Sequence, residues 1–151
     1  MKSVSKSLSP IYLRKLTREA ESLAAAIRQG GSFEPVYEAF SKAIRQIEDT
    51  GISLDEVVQL NGQYALGYNK YSTDSGRSFW KAYSEVIRSS LCQKSGELRS
   101  QIKTVITAGA GSTISSLMIL LGLPIAAAPL LAPIAAILLT LGIDAFCQQS
   151  K

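Results

Sequence analysis

From Thr104 to Ile143 the chain runs forty residues, TVITAGAGSTISSLMILLGLPIAAAPLLAPIAAILLTLGI, without one charged side chain. Such a stretch either enters a bilayer or fills the core of a protein with enough amphipathic helices to cover it. A crossing takes about 20 apolar residues, so forty with a central interruption have the length of two crossings. Gly122-Leu123-Pro124 is the interruption: Gly122 can leave a helix through a left-handed conformation, and Pro124 cannot donate the hydrogen bond that would continue it. The expectation is a hairpin whose limbs, Thr104 to Leu121 and Ile125 to Ile143, are each about 27–29 Å long at 1.5 Å per residue.

Composition changes abruptly at Lys103. Fifteen of the sixteen basic residues and eleven of the twelve acidic ones precede the uncharged run, which is followed only by Asp144 and Lys151. The chain therefore divides into a soluble helical part, 1–103, a transmembrane hairpin, 104–143, and a short polar tail, 144–151. The basic, polar start MKSVSKSLSP is followed by an amphipathic pattern and not by the apolar core of a signal peptide, so synthesis and residence of the soluble part in the cytoplasm are expected. Cys92 and Cys147 make no spacing framework, and a reducing compartment without a disulfide is the default reading.

Four helices are expected before the hairpin. Ser9 caps the first, with Pro10 in its opening turn, Leu13, Leu16, Ala20, Leu23 and Ile27 on one face, and Gly30-Gly31 as its stop. The second follows Ser32 with Pro35 in its first turn, buries Val36, Phe40, Ala43, Ile44 and Ile47, and ends at Asp49-Thr50-Gly51. A third opens on the capping box Ser53 to Glu56 and carries Tyr64, Tyr68 and Tyr71 on one face. After a turn at Ser72 to Ser78 the fourth starts near Phe79, buries Phe79, Tyr83, Ile87 and Leu91, and continues past a weak point at Ser95-Gly96 into the first span. The fold class is all-α: a small cytoplasmic four-helix bundle followed by a two-span hairpin. Four helices with narrow apolar stripes are too few to cover two wholly apolar ones, which favours the bilayer over the core.

Within the hairpin small residues fall four apart, at Ala108, Ser112 and Ser116 and at Ala128, Ala132, Ala136 and Thr140, a spacing that lets helices approach closely in lipid. They pack the two limbs together or join chains into a homo-oligomer. Lys94, Arg99 and Lys103 stand where cations meet anionic head groups, and two spans place both termini on the cytoplasmic side. Tyr64, Tyr68, Tyr71 and Trp80 crowd one junction as core residues or as a partner surface. The bases are interleaved with acids and form no cluster for nucleic acid. Gly109 to Thr113 has glycines but lacks the lysine and the preceding strand of a phosphate loop.

Enzymatic chemistry is not expected. The chain has no histidine, no metal-ligand spacing and no nucleophile–base pair, and no cofactor is implied. The plan is similar to that of pore-forming toxins in architecture alone. The reading is an integral membrane, toxin-like or defence-associated effector that perturbs the lipid bilayer by a pore or leak, controlled by its helical domain and an unidentified protein trigger. The rival is a membrane-anchored adaptor whose helical domain recruits a protein partner; absent intramembrane charges weigh against a transport subunit.

Overall fold

Serine before proline starts the first helix as its chemistry dictates. In the computed structural model, which describes residues 8–51, 73–92 and 97–148, helix α1 spans Pro10–Gly30, with the Ser9 hydroxyl accepting from the Tyr12 N–H at 3.2 Å and Gly31 closing the helix at φ 68°. Helix α2 is Glu34–Asp49 and α3 is Thr73–Leu91. Then come α4, Glu97–Ala108, and α5, Ala110–Leu120, followed by a 310 segment, Ile125–Leu130, that leads into α6, Leu131–Gln148. The protein is all-helical, with no strand among the described residues. The expected third helix, with its tyrosines, lies outside the described residues, as does the joint at Ser95-Gly96.

The stripes of α1 and α2 fall where the spacing puts them: Leu16, Ala20, Ala24 and Ile27 on one, and Val36, Phe40, Ala43, Ile44 and Ile47 on the other, are buried. Helix α3 begins six residues earlier than expected, turning what reads as a loop into helix. Its reason is tertiary. Gly76 lies against α2, where its N–H donates to Ser41 Oγ at 2.9 Å and a β-carbon would run into the Tyr37 carbonyl oxygen. Close backbone approach of this kind outweighs the poor helix propensity of Thr73 to Ser78.

The first limb of the hairpin is not one rod. Gly109, at φ 126° and ψ 178°, separates α4 from α5, a conformation that favours glycine, and Thr113 fits the break by donating through both its N–H and its hydroxyl to the Gly109 carbonyl. Helix α5 has 11 residues, about 16 Å, half of what a crossing needs. The turn falls at Gly122. There the Leu123 N–H reaches the Met118 carbonyl, the Gly122 N–H reaches that of Ile119, and Leu123 and Met118 are both buried, a Schellman closure with its hydrophobic contact. The second limb carries Pro129 within its 310 segment and a non-helical Gly142 at φ 79°. By length and composition one helical stretch, Ile125–Gln148, suffices to cross a membrane, so the expected pair of spans reduces to one such stretch in this fold.

That stretch is the centre of the protein. Every residue from Leu131 to Leu138 is buried. One continuous core joins α1, α2 and α3 to both limbs, so residues on either side of Lys103 share it.

Gly76→Ala should lower the unfolding free energy by about 2 kcal/mol, the usual cost of forcing a methyl into filled space. Urea denaturation checks it, with Gly30→Ala, whose β-carbon meets nothing within 4 Å, as the control that stays near the parent value.

Candidate functional site: a sheathed apolar hairpin

The base of the hairpin is its most heavily tied end. Cys92, just beyond α3, is bonded to Cys147 near the end of α6, with the Cα atoms 5.6 Å apart, as a disulfide requires. The expectation of two unbridged thiols is thus corrected: the fold, not the sequence spacing, brings together residues 55 positions apart. Beside the bridge, Arg88 donates from Nε to the Phe146 carbonyl at 3.2 Å and lays its guanidinium over the Phe146 ring, 4.8 Å from the centroid. A cation in that position also complements the negative end of the helix.

An aromatic chain extends this anchor into the core. Phe146 packs on Trp80 (5.9 Å between centroids), Trp80 stacks on Phe40 (5.4 Å), and Phe40 meets Phe79 (5.3 Å), which meets Tyr83. Trp80 is therefore a core residue linking α2, α3 and α6. Burial pushes the pKa of Tyr83 well above its ordinary value, keeping the phenol neutral.

The two charges that bracket the uncharged run meet at the base as well. Lys103 Nζ lies 2.8 Å from Asp144 Oδ2, with both side chains about half exposed, so the pair marks the closure of the hairpin more than it stabilises it. Higher up, the break at Gly142 interrupts the helical ladder, and Arg28 at the end of α1 donates to the Leu139 carbonyl at 3.3 Å. Both arginines thus serve backbone carbonyls of α6, and spacing alone singles out neither.

At the other end the turn is partly exposed, with Leu123 buried within it. Ile119 is 78% exposed and Ile125 43%, and Gly122 and Pro124 between them are also exposed. The small residues divide by limb. Ala108 and Ser112 are exposed and Ser116 is half-buried, whereas Ala110, Thr113, Ile114 and Leu117 face the core; Ala128, Ala132 and Ala136 are buried. Lys94 and the side chain of Arg99 lie outside the described residues, as do Tyr64, Tyr68 and Tyr71. Among the described residues no group of three or more His, Cys, Asp or Glu side chains is placed to hold a metal ion.

No family model, no curated protein and no solved structure matches the chain.

Closing a loop of 55 residues restricts the unfolded chain by about 4 kcal/mol. Cys92→Ser with Cys147→Ser should reduce the unfolding free energy by that order, and dithiothreitol should do the same to the parent. Equal stability of parent and double variant would show that the bridge does not constrain the chain.

Proposed function

We propose that the protein is a non-enzymatic, membrane-perturbing effector, stored with its apolar hairpin sheathed and acting when the hairpin enters a bilayer. The observation that carries this reading is the uncharged run itself, wrapped by amphipathic helices yet exposing Ile119 and Ile125 on either side of its turn. Among the described residues three large hydrophobic side chains are exposed, and two of them, Ile119 and Ile125, flank this uncharged turn, the third being Ile11 on α1. A hairpin that enters lipid tip first needs its leading residues uncharged and uncovered.

The ties at the base fit the same route. Cys92 precedes the first limb and Cys147 ends the second, so both remain on the side from which the hairpin enters. The disulfide and the Arg88 anchor therefore persist during insertion, while α1 and α2 leave the flanks. Breaks that shorten the helices in the sheath straighten in lipid, where unpaired backbone groups cost several kcal/mol and a continuous helix satisfies them. In that state Ala108, Ser112 and Ser116 join Ala128, Ala132 and Ala136 as the close-packing surface, within a chain or between copies in a homo-oligomer. Lys94, Arg99 and Lys103 then lie at the head-group level, with both termini on the side of entry. An intact disulfide there favours an oxidising compartment on that side, because such bonds are rare where thiols are kept reduced.

Stapling α1 to the first limb tests the release. Thr17 Oγ1 stands 3.4 Å from the position of a Gly111 β-carbon, so Thr17→Cys with Gly111→Cys places two sulfurs within bonding reach. Dye-loaded vesicles rich in anionic lipid should leak with the parent protein, stay sealed with the oxidised staple, and leak again after dithiothreitol, with equally treated parent as control. Equal leak from the oxidised staple would refute release of α1. Absence of leak from every form would favour the adaptor, for which the hairpin is only a tether.

A further inference from the structure

The sheath has a seam. Where α1 and α2 diverge over the start of the buried limb they leave a groove of about 520 Å³, within the range of small-molecule sites, about 300–1,000 Å³. Its floor is apolar, formed by Leu16, Ala43, Pro129, Ala132 and Pro133, the last three from the uncharged run itself. Its rim is basic. Lys15 and Arg18 from α1 and Lys42 from α2 line it, all exposed, with Glu19 as the one carboxylate. Among the described residues none of the three cations has an ion-pair partner.

Each part selects a property of the occupant. Three cations against a single carboxylate attract an anion, and the arginine can hold a carboxylate or phosphate through two parallel hydrogen bonds. Tyr12 lines the same groove, and burial, aided by Glu19, raises its pKa, so its hydroxyl remains a donor. The floor has no charged group to pair with a polar body and is continuous with the protein core. An occupant charged throughout wastes the floor, and an uncharged one wastes the rim.

We propose that this groove is a binding site for a single-chain anionic amphiphile, its acyl chain along Pro129, Ala132 and Pro133 and its head group at Lys15, Arg18 and Lys42. A carboxylate and a phosphate head group offer these cations the same chemistry. The inference concerns binding alone and is tested without a bilayer, so its failure and that of the membrane reading are distinguishable.

The test is equilibrium dialysis of the full chain against radiolabelled palmitate and lysophosphatidate below their micelle concentrations, with hexadecanol as the uncharged partner of the same chain length. One saturable site is expected for at least one anion, with hexadecanol binding at least about tenfold more weakly, and the tighter of the two anions identifies the head group. Lys15→Ala, Arg18→Ala and Lys42→Ala together should weaken the anion by at least about tenfold, these side chains being exposed and their loss harmless to the core. Ala39→Trp, at a half-buried lining position, should block the groove. Non-saturable uptake, equal binding of hexadecanol, or unchanged affinity in either variant would overturn the assignment.

Discussion

A helix that is apolar around its whole circumference has to be covered on every side, and the architecture follows from meeting that demand with few residues. Eight consecutive positions, Leu131 to Leu138, are all buried. An ordinary amphipathic helix needs a partner on one face; this one needs a ring. Helices α1, α2 and α3 and the first limb form it with stripes of four or five apolar residues each, which suffices because alanine is frequent in the buried limb. Ala127, Ala128, Ala132, Ala135 and Ala136 let neighbouring helices approach closely, so each covers more of the circumference than it would around leucine. The breaks serve the same end. Gly109 divides the first limb and Gly142 the second, and the straight apolar pieces that remain are short enough for helices of the length of α1 and α2 to cover.

The ties along the hairpin are unequal, and their ranking decides which part can move. The Cys92–Cys147 bridge limits the unfolded chain by about 4 kcal/mol, and the partly buried Arg88 adds a charge-assisted hydrogen bond to Phe146 together with its ring contact. The Lys103–Asp144 pair, half exposed, is worth about 1 kcal/mol at most. Among the described residues no covalent or ionic tie reaches the turn. The Schellman closure at Gly122 holds the turn's own shape, and buried Leu123 packs it onto the common core. In the reading proposed above, opening would start at the turn, away from the covalent and ionic ties, and leave the base in place.

Much of the fold is legible in the sequence where local chemistry decides it. Ser9-Pro10, Gly30-Gly31 and Gly122-Leu123-Pro124 each state a helix boundary through the hydrogen-bond demands of two or three residues, and the stripes of α1, α2 and α3 follow from spacing. What the sequence does not state depends on distance in space. Nothing near Cys92 points to Cys147, and the helical start of α3 depends on Gly76 resting against Tyr37 and Ser41 of α2. Gly109 and Gly142 look like two glycines among many small residues, yet each holds a positive φ that interrupts its limb. The arginines that serve α6 read as surface charge until its carbonyls are placed beside them. Of the candidate site, the hairpin and its turn are visible in advance; the base anchor and the basic seam are not.

Absence of charge states that a segment avoids water, and it does not distinguish lipid from protein as the alternative. The distinguishing quantity is how completely the rest of the chain can cover the segment. Here coverage is complete at Ile134 to Leu138, partial at Pro129 beneath the seam, and least at Ile119 and Ile125, on either side of the turn. In the reading proposed above, that gradient would order a transfer from protein to lipid: the exposed end would meet the apolar phase first, each residue that enters would withdraw support from the helices beside it, and the base, bonded through Cys92 and Cys147, would hold the rest of the chain at the surface. The energetic difference between sheath and bilayer can then be small for each residue and still be directional, since apolar burial contributes about 25 cal/mol per Å² in either environment and only the uncovered end gains it outright.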